Sequence, residues 1–273
     1  MARDPFDLTG RHALITGCGS AAGIGFAAAR LLARLGATVA ITSTTDRIEQ
    51  RARELRAEGA TVGAHVADLT DRGQAFDLVA AAQAEHGPID VLVNAAGMVQ
   101  TGTEPTSAAF ADLEPSQWRR ELDLNLNTAF HTTQAVLPGM IARRYGRIVM
   151  VSSVTGPLVS SPGSAAYAAA KAAMDGMMRT LALEYGRAAI TVNSVAPGWI
   201  ATASSTPDEL QAGSHTPVGR PGTSEEVAGL IAYLASESAS YLTGQSIPVD
   251  GGNIIQEPHG VDLYGPWGHR GST

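Results

Sequence analysis

The sequence predicts an α/β domain in which one parallel sheet carries helices on both faces. Short β-branched runs alternate with helix-length amphipathic segments along nearly the whole chain. One run, IDVLVN at 89–94, is apolar enough throughout to be covered on both faces. No linker-like change of composition appears before the end of the chain. We therefore expect a single doubly wound domain at 1–252 and a tail at 253–273.

The elements follow in order along the chain. Strands are predicted at 12–16, 38–42, 61–66, 89–94, 147–152, 191–196 and 245–249. Helices are predicted at 24–35, 47–58, 71–86, 116–142, 164–186 and 224–235. Pro138 falls near the end of the fourth helix, where a kink or stop is expected because proline lacks a backbone N–H. Parallel strands need right-handed crossovers, and ligands then bind beyond the C-terminal ends of the strands.

Composition excludes several classes of protein. The 273 residues carry a net charge of −7 without a basic block, which disfavours nucleic acid or an anionic membrane as the main partner. The single cysteine, Cys18, cannot form an internal disulfide and indicates a reducing compartment. No apolar run approaches the ~18 residues of a membrane span, and the N-terminus lacks a signal-peptide core. The seven histidines form no metal-binding array. A cytoplasmic protein without a metal is expected.

A glycine-rich turn, TGCGSAAGIG at 16–25, lies between the first strand and the first helix. This context is the one that a dinucleotide fingerprint requires, because glycines let the backbone approach a pyrophosphate at the helix N-terminus. Two registers fit. One uses Gly17, Gly19 and Ala22, and the other uses Gly17, Gly23 and Gly25. Cys18 is interpreted as a small residue filling the turn.

The end of the second strand, ITSTTDR at 41–47, bears on the choice between NAD and NADP. Ser43 stands where a ribose-binding acid is expected. Without a carboxylate there, Ser43, Thr44, Thr45 and Arg47 offer hydroxyl and cationic contacts to a 2′-phosphate. NADP(H) is therefore favoured over NAD(H). Asp46 supports the alternative, since a small loop shift would bring its carboxylate to the ribose.

Tyr167 and Lys171 stand four residues apart in an alanine-rich segment predicted to be helical. Side chains at this spacing share one face of a helix. A neighbouring ammonium favours the phenolate and lowers a tyrosine pKa from its usual ~10, which makes Tyr167 a candidate proton carrier. The alternative is that the spacing arose by chance.

Taken in order, the motifs resemble those of the short-chain dehydrogenase/reductase family, especially its 3-oxoacyl-carrier-protein-reductase-like members. The resemblance covers Leu8 to Gly252. It rests on TGCGSAAGIG, Asp68 after the third strand, NAAG (94–97), Asn125 in LDLNLN, SSV (152–154), YAAAK (167–171), NSVAPGWIAT (193–202) and YLTGQSIPVDGG (241–252). It implies a Rossmann domain with a seven-stranded parallel sheet of order 3-2-1-4-5-6-7, and a homotetramer with contacts through helices 116–142 and 164–186.

The activity that the resemblance implies is NAD(P)H-dependent interconversion of a ketone and a secondary alcohol. The implied catalytic residues are Asn125, Ser153, Tyr167 and Lys171. Tyr167 is expected to exchange the substrate proton, and Ser153 to hydrogen-bond the substrate oxygen, with Ser152 as its alternative. Lys171 would bind the nicotinamide ribose and lower the pKa of Tyr167. Asn125 would hold a water that links Lys171 to solvent.

The resemblance also implies a cofactor site along the C-terminal edge of the sheet. Its predicted residues are Gly17, Gly19, Ser20, Gly23, Ile24, Gly25, Ser43, Thr44, Thr45, Arg47, Ala67, Asp68, Leu69, Asn94, Ala95, Ala96, Gly97, Tyr167, Lys171, Pro197, Gly198, Ile200 and Thr202. Asp68 would contact the adenine, and Asn94 would also tie strands together. The predicted substrate contacts are Val154, Pro157, Leu158 and Trp199. This mixed lining favours a neutral, moderately apolar ketone.

Departures from the family pattern fall beside these sites. Five residues separate TG from GIG in the glycine-rich turn, where the family has three. The segment 203–216, at the place of the family's substrate lid, is short and suggests an open cleft. In the tail, Tyr264 and Trp267 are expected to pack over an active site, with disorder as the alternative. Two other functions stay open, an NAD-dependent alcohol dehydrogenase and a non-catalytic cofactor-binding regulator.

Overall fold

The fold is described from a computed structural model, which covers residues 4–97 and 107–257. Its strands are β1 (His12–Ile15), β2 (Thr38–Ser43), β3 (Val62–Val66), β4 (Val91–Asn94), β5 (Gly146–Val151), β6 (Ile190–Pro197), β7 (Ile200–Ala201), β8 (Gly222–Thr223) and β9 (Ser246–Val249). Seven of them form a parallel sheet of order β3-β2-β1-β4-β5-β6-β9. The predicted order is confirmed, since β9 is the seventh predicted strand. The short pair β7–β8, which the sequence did not indicate, lies outside the main sheet.

Helices cover both faces of this sheet. They are α1 (Ile24–Arg34), α2 (Arg47–Ala57), α3 (Arg72–His86), α4 (Pro115–Leu122), α5 (Thr128–Arg143), α6 (Ala165–Tyr185), α7 (Pro207–Ser214) and α8 (Ser224–Ala235). In β1, Ala13 and Ile15 join the core under α1, α2 and α8, whereas Leu14 joins the core under α3, α5 and α6. The alternation of side chains along a strand thus gives the sheet two cores.

The helix predicted over 116–142 is divided. A π-helical turn, Asp123–Asn127, separates α4 from α5, and such single turns recur at functional sites. The stop considered at Pro138 does not occur, because α5 continues through it to Arg143. The helix ends where Arg144 turns to a left-handed conformation, with φ 55°. Within the described ranges, every helix is too short or too polar to cross a bilayer.

Candidate active site

The loop after β5 and the first turns of α6 bring the predicted catalytic side chains together. Ser153 follows the end of β5 by two residues, while Tyr167 and Lys171 lie on α6. Gly156 allows the loop to approach the helix. Its φ is +107°, and a Cβ added to it would overlap the carbonyl oxygen of Ala168. Any residue with a side chain would be strained there and would push the loop away from Tyr167.

The Tyr167 hydroxyl lies beside the side chain of Ser153, close enough for Ser153 to lower the pKa of the tyrosine. The Ser153 Oγ accepts a hydrogen bond of 3.0 Å from the N–H of Thr155, which fixes its position. Burial raises the pKa of Tyr167 to about 12, the side chain of Ser153 lowers it, and the charges of Glu121 and Glu209 raise it further. The lowering of the Tyr167 pKa that was expected from Lys171 is therefore absent: burial is the largest cause of the shift, and the charges that act on the phenol are those of Glu121 and Glu209.

Lys171 is the single lysine of the chain, and it is buried. Its Nζ donates a hydrogen bond of 3.0 Å to the carbonyl oxygen of Val151 at the end of β5. The same Nζ lies 5.6 Å from the centroid of the Tyr167 ring. Burial lowers the pKa of Lys171 to about 8, against the opposing charges of Asp175 and Glu121. The ammonium thus shares a face of α6 with Tyr167, as the spacing predicts.

Asn125 sits inside the π-helical turn, where it is fully buried. Its Nδ2 donates to the backbone oxygen of Glu121 at 3.2 Å and to Glu121 Oε2 at 2.9 Å. Its Oδ1 lies 2.9 Å from the point where a Cβ on Gly97 would stand, and Lys171 Nζ lies 3.5 Å from that point. A side chain at position 97 would therefore crowd Asn125 Oδ1, whereas its distance to Lys171 Nζ would be an ordinary contact.

Ser152, the alternative to Ser153, serves a different contact. Its Oγ donates to the carbonyl oxygen of Lys171 at 3.3 Å. Together with the bond from Lys171 Nζ to Val151, this contact holds α6 against the end of β5. The geometry therefore favours Ser153 as the serine that meets Tyr167.

The glycine-rich turn forms a cradle whose shape depends on missing side chains. A Cβ on Gly17, which has φ +72°, would lie 2.5 Å from the oxygen of Ala95. A Cβ on Gly25 would lie 2.8 Å from the oxygens of Gly17 and Thr16. These two contacts require glycine at both positions and favour the register Gly17, Gly23, Gly25.

The N-terminus of α1 carries no side-chain cap and no acid in its first turn, and Gly23 is its N-cap. By contrast, Asp71, Thr206 and Thr223 cap the N-termini of α3, α7 and α8. The α1 amides thus lack a competing side chain and fit the pyrophosphate of a dinucleotide. Gly19, Ser20 and Ile24 belong to the same turn, and a Cβ added to Gly19 would lie 3.0 Å from the Cβ of Ser43.

The loop after β2 presents hydroxyls and one guanidinium. Ser43 Oγ donates to the oxygen of Thr45 at 2.8 Å, and Arg47 Nε donates to Thr45 Oγ1 at 3.1 Å. Thr44, Thr45 and Arg47 are exposed, and so is Asp46. The cluster is preorganised by its own hydrogen bonds and open to a ligand beside the Ser43 strand end.

The loop after β3 also lies on this edge. Asp68 is exposed, and its Oδ1 accepts hydrogen bonds from the N–H and hydroxyl of Thr70 at 3.0 and 2.7 Å. Val66, at the end of β3, is 56% exposed and offers an apolar surface. Ala67 donates its N–H to the oxygen of Ser43, and Leu69 is buried in the core. The Asp68 carboxylate and Val66 are therefore the side chains of this loop that a ligand can reach.

The side chain of Asn94 braces the fold. Its Nδ2 donates to Thr133 Oγ1 at 3.0 Å, and its Oδ1 accepts from Thr132 Oγ1 at 2.7 Å. The N–H groups of Ala95 and Ala96 both donate to Thr16 Oγ1. Asn94 thus ties β4 to α5, and the 94–97 segment offers a ligand mainly its backbone and Gly97.

The far rim of the cleft consists of the end of β6 and the segment after it. Pro197 accepts a backbone hydrogen bond from Val154, and Gly198 donates to the oxygen of Val249. Ile200 pairs with Gly222 in the small sheet, and Thr202 Oγ1 contacts Ser204 and Ser205. Of the predicted substrate residues, Val154 is buried, Pro157 and Trp199 are half-buried, and Leu158 is 49% exposed.

The segment 203–216 contains the helix α7, which the sequence analysis did not predict. Thr206 Oγ1 accepts from the N–H of Glu209, and Glu209 Oε2 accepts from the N–H of Thr206. Pro207 occupies the first turn. The sequence TPDE matches the pattern of a capping box with proline in the first helical turn, so the start of α7 could have been predicted from it. The negative charge of Glu209, on α7, raises the pKa of Tyr167, so this helix influences the candidate active site.

The tail begins by packing on the same segment. Gln256 is buried, and its Nε2 donates to the oxygen of His215 at 3.2 Å. Tyr264 and Trp267 lie outside the described residues. Cys18 is buried in the core, and burial raises the pKa of its thiol. Among the described residues, no group of His, Cys, Asp and Glu is arranged to hold a metal.

Two buried carboxylates near the site escaped the sequence analysis. Glu121 precedes Asn125 by four residues, and Asp175 follows Lys171 by four. Both spacings place the acid on the same helical face as its partner, and this was the signal available.

Comparisons with known proteins agree with this architecture. A family model described as enoyl-(acyl carrier protein) reductase matches residues 17–253. The chain is 39% identical to oxidoreductase UcpA of Salmonella typhimurium over 268 residues, with 94% of this chain and 99% of the relative covered. It is 40% identical to 3-oxoacyl-[acyl-carrier-protein] reductase FabG of Thermotoga maritima over 253 residues, covering 91% and 99%.

A solved structure gives the same result. A gluconate 5-dehydrogenase from Burkholderia cenocepacia, in complex with NADP and tartrate, superposes with a TM-score of 0.84 at 33% identity. The match covers 93% of this chain and 98% of that one.

Proposed function

Because the chain belongs to the short-chain dehydrogenase/reductase family, an oxidoreductase family that uses a nicotinamide cofactor, we propose that it reduces a ketone to a secondary alcohol. The observation that carries this proposal is the placing of Tyr167 beside Ser153 and beside the buried ammonium of Lys171, whose Nζ lies 5.6 Å from the Tyr167 ring centroid. A protein that only bound the cofactor would need no proton donor there, so a regulator is disfavoured. Residues 1–252 would act as one cofactor-binding and catalytic unit.

The reaction divides between cofactor and protein. When bound, the nicotinamide supplies or accepts the hydride. Ser153 hydrogen-bonds the carbonyl oxygen, and the Tyr167 hydroxyl gives that oxygen its proton as the alcohol forms. A tyrosine with a pKa of about 12 is protonated at neutral pH, which is the state that reduction needs. Lys171 holds the ribose and returns a proton to Tyr167, and Asn125 holds the water that connects Lys171 to solvent.

The raised pKa of Tyr167 also separates the two directions of the reaction. Oxidation of an alcohol needs a phenolate as base, and its rate should therefore rise with pH. Reduction should proceed at neutral pH. Reduction is the proposed direction, and an NAD-dependent alcohol dehydrogenase working oxidatively is the alternative.

NADP(H) is the proposed cofactor. The cradle at the start of α1 fits a pyrophosphate, and the cluster of Ser43, Thr44, Thr45 and Arg47 supports contacts with a 2′-phosphate. Asp46 is exposed in the same loop and would favour NAD(H) if it met the ribose. Kinetics with NADPH and NADH in parallel decide between them, and a lower KM for NADPH is expected.

A neutral, moderately apolar ketone is the proposed substrate class. Its support is the lining of Val154, Pro157, Leu158 and Trp199, together with the short segment of α7. The test is a panel of carbonyl compounds, including keto acids, followed at the nicotinamide absorbance. Turnover restricted to charged keto acids would contradict the proposal.

Two further features of the proposal concern the tail and assembly. Because Gln256 anchors the start of the tail near α7, deletion of 256–273 should alter the apparent substrate affinity, and unchanged kinetics would argue against a docked tail. Exposed Phe130 and Ile141 on α5 and Leu183 on α6 support a homotetramer through these helices. Size-exclusion chromatography with light scattering tests it, and a monomer would refute it.

A further inference from the structure

The proton path proposed above gives no role to the buried carboxylate of Glu121. Glu121, at the end of α4, is 9% exposed and faces the same cluster as Asn125, Tyr167 and Lys171. We propose that Glu121 is a positioning residue, which holds the Asn125 amide oxygen towards Lys171 and supplies a negative charge that balances the Lys171 ammonium. The effect on catalysis rests on the proposed function, whereas the effect on Lys171 does not.

The geometry of Asn125 carries the first part of the proposal. Its Nδ2 donates to both the backbone oxygen and the carboxylate of Glu121. A carboxylate only accepts hydrogen bonds, so it selects the NH₂ side of the amide. The Oδ1 then faces the opposite way, where it and Lys171 Nζ approach the same point over Gly97. A reversed amide would set its NH₂ group towards the ammonium and its oxygen against the carboxylate.

The local backbone supports this contact. The π-helical turn Asp123–Asn127 begins directly after α4. It contains Asn125, whose side chain reaches back to Glu121 although the chain between them departs from α-helical geometry. Another polar contact of the turn is local, with Asn127 Nδ2 donating to Asp123 Oδ1 at 2.7 Å. The link between Glu121 and Asn125 therefore crosses the junction that positions the asparagine.

The charges around the pair carry the second part. Lys171 faces Glu121 from α4 and Asp175 from its own helix, and both favour its protonated form. Asp175 is buried, and its oxygens accept no hydrogen bond within the described chain. Tyr167 faces Lys171 on α6, Glu121 on α4 and Glu209 on α7. An ammonium in this enclosure would be costly without nearby negative charge.

Substitution by glutamine separates charge from shape. Glu121→Gln keeps an oxygen that accepts from Asn125 and removes only the charge. The pKa of Lys171 should then fall, because a group that stabilises the ammonium is gone. The pKa of Tyr167 should fall as well, because the charge that opposed its phenolate is gone. Glu121→Leu removes both the charge and the acceptor.

The first experiment needs no activity. Lysine labelled with ¹³C at the ε-carbon gives one lysine signal in this chain, since Lys171 is the single lysine. We expect wild type to titrate near the value of about 8, and Glu121→Gln to titrate roughly one pH unit lower. Asp175→Asn should lower it too. Glu209→Gln is the matched control, because Glu209 acts on Tyr167 and not on Lys171. An unchanged titration in Glu121→Gln overturns the charge role.

The second experiment measures reduction against pH. In Glu121→Gln, the high-pH limb of kcat/KM should move to lower pH while the KM for the cofactor stays constant. In Glu121→Leu, kcat at neutral pH should fall roughly tenfold further than in Glu121→Gln, because the side chain at position 121 no longer holds the Asn125 amide. Equal kcat in the two variants overturns the positioning role. If wild type reduces no carbonyl, the proposed function fails, and the titration of Lys171 still judges Glu121. Far-UV circular dichroism confirms that each variant folds.

Discussion

Removing the Tyr167 hydroxyl should separate catalysis from folding. Tyr167→Phe keeps the ring and deletes the group that is proposed to give its proton to the substrate. A positioned general acid contributes roughly 10²–10⁴-fold to a rate. At about 1.36 kcal/mol for each factor of ten, the barrier to reduction should rise by about 3–5 kcal/mol.

The effect on stability should be much smaller. Loss of the interaction with Ser153 should cost about 1 kcal/mol or less. Ser153 Oγ is not left without a partner, since it still accepts from the N–H of Thr155 at 3.0 Å. Tyr167→Phe also removes the free-energy cost of taking the tyrosine hydroxyl out of water when the protein folds. The free energy of unfolding should therefore change by about 1 kcal/mol or less, against a catalytic loss several times larger.

The assay follows ketone reduction at the nicotinamide absorbance, with unfolding measured by urea titration. Tyr185→Phe is the matched control, because Tyr185 lies at the far end of the same helix, α6. It should retain full activity. Cofactor affinity, measured by fluorescence, reports separately how much the predicted contact of Tyr167 with the cofactor contributes. A Tyr167→Phe enzyme with more than a tenth of wild-type kcat would refute the assigned mechanism.

Two other changes test the cofactor site and the backbone. Arg47→Ala should raise the KM for NADPH by roughly 10–100-fold, because it removes a charged hydrogen bond. The KM for NADH should stay unchanged. Arg53→Ala, at an exposed position of the same helix, is the control and should change neither KM. Gly229→Ala should stabilise the protein by roughly 0.5–1 kcal/mol, because Gly229 lies in α8 with open space around its Cβ position, whereas Gly25→Ala should destabilise it, because its Cβ would lie 2.8 Å from two backbone oxygens. A Tm that rises in both glycine variants, or a fall in NADPH and NADH affinity alike for Arg47→Ala, would contradict these assignments.

Much of the architecture could be predicted from local pattern. The alternation of strands and helices predicted a parallel sheet with helices on both faces, and the family resemblance implied its seven-stranded order, which is confirmed. Continuous apolar runs such as 89–94 reported burial on both faces, and β4 lies at the sheet centre. The roles of the site residues stay predictions; their proximity comes from the loop after β5, the first turns of α6 and the π-helical turn between α4 and α5.

The missed features depend on details that periodicity does not record. The π-helical turn at Asp123–Asn127 interrupts a segment whose apolar pattern is helical throughout. The helix α7 is short, and its signal was a capping box instead of an apolar stripe. In the sequence, Glu121 and Asp175 look like ordinary polar residues of helices. The sequence alone does not show which helical faces are buried in the tertiary structure.

The Tyr167–Lys171 pair shows where the division falls. Helical pitch places both side chains on one face of α6, so their proximity could be predicted from their spacing in the sequence. The protonation of the pair depends on how completely each group is removed from water and on charges from α4 and α7, distant in sequence. Burial raises the pKa of Tyr167 to about 12 and lowers that of Lys171 to about 8. Neither shift could be predicted from the spacing, because desolvation is a property of the packed site.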